Sequence, residues 1–231
     1  MSETDHKVEG NVNIDNIKGA LIHGSVLGGW FGAQKRLTSE GLPKNSRQTQ
    51  EGYWIGSSPD LNEIKELAAR NIKLVLTFAT VPAKELIIMQ QAYQALGITH
   101  VYAPFGSKFP NPNRFMPHIS AVSPSQIFIH CEHGSDRTGA VLAYILIARH
   151  HWDIPTALFA VIQPTPCNIQ KLTQILNSKG FKVNPENYEE IVGKYSAENN
   201  GGYGGMKVCS ETGNYIRLIE TLIKRAKAIP R

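Results

Sequence analysis

Between Gly139 and Ala148 the chain is apolar on nearly every side of a helical turn: Ala140, Val141, Leu142, Ala143, Ile145, Leu146, Ile147 and Ala148 leave little polar face. A helix apolar all round cannot lie on a surface, so the helix predicted over 137–151 belongs in the core. Residues 126–130, Gln-Ile-Phe-Ile-His, form an apolar run that suits a strand buried on both faces. The junction between the two is short. A strand that runs almost directly into a buried helix is the unit from which layered α/β proteins are built.

The flanking pattern repeats that unit. Ser58-Pro59 offers an N-cap and a first-turn proline, with Leu61, Ile64, Leu67 and Ala68 at helical spacing, which predicts a helix over 59–70. Residues 72–79 read as a buried strand, 83–96 as a helix stopped by Gly97, and 98–103 as a strand. Residues 114–122 are weakly helical, interrupted by Pro117. Further helices are expected over 155–163, over 168–178 before Gly180, from Pro185, and over 214–229. The β-α-β-α-β succession predicts an α/β fold, a mostly parallel central sheet with helices on both faces. Ligands in such sheets bind beyond the carboxyl ends of the strands, where residues 130–139 lie.

That junction reads His130-Cys131-Glu132-His133-Gly134-Ser135-Asp136-Arg137-Thr138-Gly139. Cys131 precedes Arg137 by six positions, so the backbone of Glu132, His133, Gly134, Ser135 and Asp136 can curl around a tetrahedral anion with its N–H groups inward. A cysteine at a helix N-terminus beside an arginine favours the nucleophilic thiolate. Arg137 offers a planar fork of donors for two phosphate oxygens. Thr138, in the first helical turn, is placed to donate to the sulfur, and His130 to brace the loop from the strand end.

The segment resembles the signature of the cysteine-dependent phosphatases, the protein tyrosine and dual-specificity superfamily: His-Cys, five residues, then Arg and Ser or Thr. Gly52–Pro59, the following helix and Asn71–Phe78 are similar to the opening elements of a dual-specificity domain. The likeness spans residues 45–180, leaving 1–44 as a partly flexible extension and 181–231 as a helical one with a Gly-rich loop. It implies hydrolysis of a phosphate monoester through a cysteinyl-phosphate, with no cofactor or metal. The family also uses an aspartate on a preceding loop as general acid. Between Asp60 and Asp136 this chain has none. A Gly-x-Asp-Arg-Thr ending is similar to that of myotubularin-like lipid phosphatases and several bacterial phosphatases, which implies that Asp136 supplies the proton. Thiolate and phosphate charge beside it favour the protonated form that a general acid needs. The bland alternative has Asp136 ordering the loop. Glu132 and His133 are reserves, and His118 is a weaker candidate.

Substrate class stays open between phosphotyrosine or dual-specificity protein substrates, placed first, and phosphoinositides or inositol phosphates. Phe105 and Phe109 on the acid-free loop would flank a phosphotyrosine ring, whereas Lys108 and Arg114 would suit a multiply anionic substrate. A phosphate-binding scaffold without turnover and a rhodanese-like sulfur carrier are the alternatives of other classes.

The 231 residues are 42% hydrophobic and carry a net charge of +5, enough chain for a substantial core and a modest bias toward anions. No basic stripe with aromatics points to nucleic acid. Three cysteines argue against a disulfide framework, and Cys167 reads as an ordinary turn or buried cysteine. The polar, acidic start shows no apolar run, so a cytoplasmic protein is expected, with non-classical export left open. The last 26 residues hold six basic and two acidic side chains. Their helix either packs its apolar side on the domain, the favoured reading, or makes peripheral contact with an anionic membrane.

Overall fold

The structure is a computed structural model that describes residues 41–105, 108–196, 203, 205–209 and 214–229. The Gly-rich, apolar stretch 19–33, which could add a strand or hairpin, lies outside the described residues, as does most of the Gly-rich loop. Five strands form one sheet: β1 (Arg47–Gln48), β2 (Trp54–Gly56), β3 (Leu74–Thr77), β4 (Thr99–Tyr102) and β5 (Ile127–His130), in the order β1-β2-β5-β3-β4. All neighbouring pairs are parallel except β1 with β2. The mostly parallel α/β sheet read from the sequence is therefore the one observed.

Alternation along the strands divides the core. Ile55, Leu74, Leu76, Ile127 and Ile129 face one side, and Val75 and Phe128 the other. On the Val75 side lie α1 (Leu61–Ala69) and α2 (Ala83–Ala95); on the other, α4 (Asp136–His150) sits among α5 (Ile154–Val161), α6 (Pro166–Ser178) and α8 (Asn214–Lys227). The short α3 (Met116–Ser120) accommodates Pro117 in its first turn, where a proline costs no helical hydrogen bond. The helix expected at Pro185 is a 3-10 turn, Pro185–Tyr188, followed by α7 (Glu189–Lys194).

One boundary differs from the sequence reading. Asp60, not Ser58, caps α1: its Oδ1 accepts the N–H groups of Asn62 and Glu63, both at 2.9 Å, while Glu63 Oε2 accepts the Asp60 N–H at 2.7 Å. The segment beyond residue 180 packs on the domain, in line with the favoured reading of its last helix. Val183, Val192, Tyr195, Tyr203, Met206, Ile219, Leu222, Ile223 and Ala226 are buried in the same cluster as α4. With the apolar face of α8 spent on that core, Arg217, Lys224 and Lys227 remain exposed. Among the described residues no helix is long and apolar enough to cross a membrane.

Candidate active site

The central strand β5 delivers Cys131 to the carboxyl edge of the sheet, 4% exposed. The loop that follows turns three consecutive carbonyls outward. Glu132 O accepts the Ser58 N–H at 3.3 Å, His133 O accepts from Asn45 Nδ2 at 2.9 Å, and Gly134 O accepts from Arg47 Nη2 at 3.3 Å. Carbonyls pinned outward leave the intervening N–H groups facing the opposite way, which makes the concavity an anion nest. Gly134 is required twice over. Its φ is +72°, and a Cβ there would lie 2.3 Å from the Gly56 carbonyl carbon.

The nucleophile end is braced through the sheet. His130, fully buried, places Nδ1 3.2 Å from the Cys131 carbonyl and Nε2 2.7 Å from Thr77 Oγ1, which lies 2.8 Å from His100 Nε2. The Cys131 carbonyl can only accept, so the order of donation runs from His100 to Thr77 to His130 to Cys131. Burial pulls the His100 imidazole down to about 4, so it is neutral at ordinary pH, and that order puts its one ring proton on Nε2.

Two guanidinium groups serve the loop. Arg137 is partly exposed at the start of α4. Arg47, which sequence reasoning missed, sits on β1 with its charge within reach of Cys131; burial lowers it to about 10, and Cys131 acts in the opposite direction. It therefore stays charged at neutral pH. Thr138 is fully buried, but its hydroxyl has no hydrogen-bond partner among the described residues, so the expected donation to the Cys131 sulfur is not made here. A buried hydroxyl left without a partner is costly, and it is free to turn toward one.

Asp136 is gripped from far along the chain. Its Oδ1 accepts the Lys207 N–H at 2.7 Å, and the Tyr215 hydroxyl stands beside its carboxylate. Burial first, then the Asp136 charge, raises the Tyr215 hydroxyl, which keeps it a donor. Residues 205–209 form a strap beside the loop: Gly205 packs against Ser135, and Met206 bridges to Ile162. Asn168, 2% exposed, accepts the N–H groups of Val208 and Cys209 at 2.9 and 2.8 Å. Cys209 is joined to Cys167 by a disulfide, which corrects the reading of Cys167 as an ordinary thiol; Cys131 is free.

The expected substrate rim is only half formed. Phe105 and Phe109 are 7% and 2% exposed, packed on Phe78 and Tyr144, so their rings belong to the core rather than to a mouth that would hold a phosphotyrosine. Lys108 is exposed and joins Arg217 and Lys224 on a groove of about 640 Å³ beside α8. Arg114 and His118 are exposed on and after the 3-10 turn Pro112–Arg114. The side chains of Glu132 and His133 are exposed, 3.8 Å from each other, while their backbone belongs to the nest. Among the described residues no three His, Cys, Asp or Glu side chains are grouped to hold a metal.

Arg47 left no mark in the sequence beyond its charge, since only tertiary pairing of β1 with β2 carries it to the loop. The disulfide did leave one. With Cys131 set aside for chemistry, Cys167 and Cys209 make an even remainder.

Residues 51–151 match the family model described as "Polymorphic toxin system, DSP-PTPase phosphatase". Among solved structures, the chain is similar to PTPMT1, with 14% identity over 79% of this chain and 96% of that one and a TM-score of 0.46. It is similar to Tk-PTP in its active form at 15% identity, over 65% and 95%, TM-score 0.41. The core catalytic domain of the PP-IP phosphatase SIW14 from S. cerevisiae, in complex with citrate, overlaps at 14% identity, over 82% and 96%, TM-score 0.39. No curated protein matches the sequence.

Proposed function

We propose that this chain, whose residues 51–151 belong to the cysteine-dependent phosphatase superfamily, hydrolyses phosphate monoesters through a cysteinyl-phosphate intermediate. One observation carries it: a buried free cysteine at the floor of a loop whose carbonyls at 132, 133 and 134 are all tied outward. The N–H groups and Arg137 hold the phosphoryl oxygens while the Cys131 thiolate attacks phosphorus in line. The S–P bond forms as the P–O bond breaks, and Asp136 gives its proton to the departing oxygen. Water then attacks phosphorus and yields its proton to the Asp136 carboxylate, restoring the thiolate. Thr138 supports that departure if its unpaired hydroxyl turns to the sulfur.

Two substitutions test this route. Cys131→Ser should abolish turnover of an aryl phosphate while a phosphate analogue still binds; persistent activity sinks the reading. Asp136→Asn should slow an alkyl phosphate by about 10²–10³-fold and an activated aryl phosphate much less. Equal losses return the acid role to another group.

A phosphorylated protein is the first substrate reading, supported by the family's dual-specificity description. Burial of Phe105 and Phe109 favours the second, a multiply phosphorylated small molecule such as an inositol phosphate, for which the Lys108, Arg217 and Lys224 groove supplies charge. Turnover of phosphopeptides set against inositol phosphates separates the two. The polymorphic-toxin description supports delivery into another cell as the setting.

A further inference from the structure

The general-acid reading leaves a gap that the C-terminal strap fills. A carboxylate at the first turn of α4, partly exposed, has a free rotor, and a proton donor must be held within a fraction of an ångström of its target to be useful. The Lys207 N–H donates to Asp136 Oδ1 at 2.7 Å, and the Tyr215 hydroxyl stands beside the same carboxylate; both come from beyond residue 200. Neither belongs to the matched segment 51–151. The strap is itself anchored at three levels. Met206 N–H donates to Val161 O at 3.0 Å and Gln163 N–H to Met206 O at 2.9 Å; buried Asn168 accepts two further N–H groups; and Cys209 is bonded to Cys167. Both sulfur-bearing residues are exposed, so the bond is open to exchange with an external thiol. Five residues lie between Cys209 and Tyr215, a reach of at most about 22 Å of chain, so fixing one restrains the other.

We propose that the strap is a built part of the active site, in which Tyr215 is a positioning residue that aims the Asp136 carboxylate and the Cys167–Cys209 disulfide latches that aim. This rests on Asp136 as the general acid. Opening the latch needs a dithiol: one thiolate attacks a sulfur of the pair, the S–S bond breaks, and the second thiol displaces the mixed disulfide. Two electrons and two protons end on Cys167 and Cys209, and the reductant leaves as its own disulfide.

The test compares an alkyl phosphate with an activated aryl phosphate on the full chain, with the bridge verified by mass spectrometry under non-reducing conditions. Tyr215→Phe keeps the ring and removes only the hydroxyl. It should lower kcat about tenfold on the alkyl phosphate and less than about threefold on the aryl phosphate, with KM little changed on either. Cys209→Ser, and the native chain after dithiol treatment, should show the same selective loss. Adding Tyr215→Phe to Asp136→Asn should cost nothing more, because the hydroxyl acts only through that carboxylate. Equal losses on the two substrates, an additive double variant, or identical alkyl phosphate rates before and after reduction would each overturn the proposal. If Asp136→Asn is itself unselective, the acid assignment has failed and this proposal goes with it. A selective Asp136→Asn beside an unselective Tyr215→Phe removes the positioning role alone.

Discussion

The two halves of the phosphate loop are held by different parts of the chain. From Cys131 to Gly134 the loop is fixed by neighbours in the sheet: His130 through Thr77, and the outward carbonyls through Asn45, Arg47 and Ser58. From Ser135 to Asp136 it is held by residues 205–215, some seventy positions further on. The first half depends on backbone that the fold cannot do without. The second depends on a strap with its own fasteners, so the nucleophile and its proton donor can be perturbed separately.

The sharpest contrast is between two cysteines changed in the same way. Cys209→Ser should lower the unfolding free energy by up to about 4 kcal/mol, the chain-entropy value for a bridge closing a loop of this length, whereas Cys131→Ser should leave it within about 1 kcal/mol. The sequence separation of the bridged pair is 42. Urea denaturation under non-reducing conditions measures both. A comparable cost at the two positions would show that the strap bears no load of its own.

A smaller difference is expected from two glycines. At Gly134 a Cβ would collide with the Gly56 backbone, whereas at Gly205 it would meet Ser135 Cβ at 3.4 Å, an ordinary contact. Gly134→Ala should therefore cost about 3 kcal/mol or more, and Gly205→Ala about 1–2 kcal/mol through its φ of +138°. Thermal melts of the two variants would invert this order only if the strap were the stiffer element.

Asparagines give the next comparison. Asn168→Ala strips the strap of a buried side chain that accepts from Val208 and Cys209 and donates to Gln163 O, for a loss of about 2–3 kcal/mol. Asn45→Gly removes one exposed bond to His133 O without straining the φ of +60° there, and should cost about 0.5 kcal/mol.

The weakest lever is pH. Burial holds His100 near 4 in the folded chain against about 6.5 when unfolded, so below 6.5 the unfolded state binds more protons. The contribution is complete above pH 6.5 and is lost as pH falls toward 4, on the order of 1–3 kcal/mol in all. His100→Gln should flatten the dependence of denaturation midpoint on pH in that window. An unchanged slope would mean that another group governs acid loosening of the nucleophile half.

What could be read from the sequence follows the same division. The apolar helix 137–151, the strand before it and the thiol between them are local patterns, and the structure places them close to the expected bounds. Phe105 and Phe109 misled because an aromatic residue in a proline-rich loop looks available, whereas packing on Phe78 and Tyr144 buries both. Asp60 displaced Ser58 as a cap because its carboxylate reaches two N–H groups and Glu63 returns the bond. Arg47 and Tyr215 reach the site only by contacts between residues about 80–90 positions apart, for which no periodicity or spacing gives a signal.

The separation of 71 residues between Asp136 and Lys207 also sets an order of events on the ribosome. The thiol and its outward-turned carbonyls can be assembled once the first helix beyond the loop has emerged. Lys207, on the other wall, is synthesised roughly 3–11 seconds later at ordinary elongation rates. For that interval the nascent chain holds an anion trap with a nucleophile and an unheld carboxylate, and a chain ending before residue 205 would stay in that half-finished state.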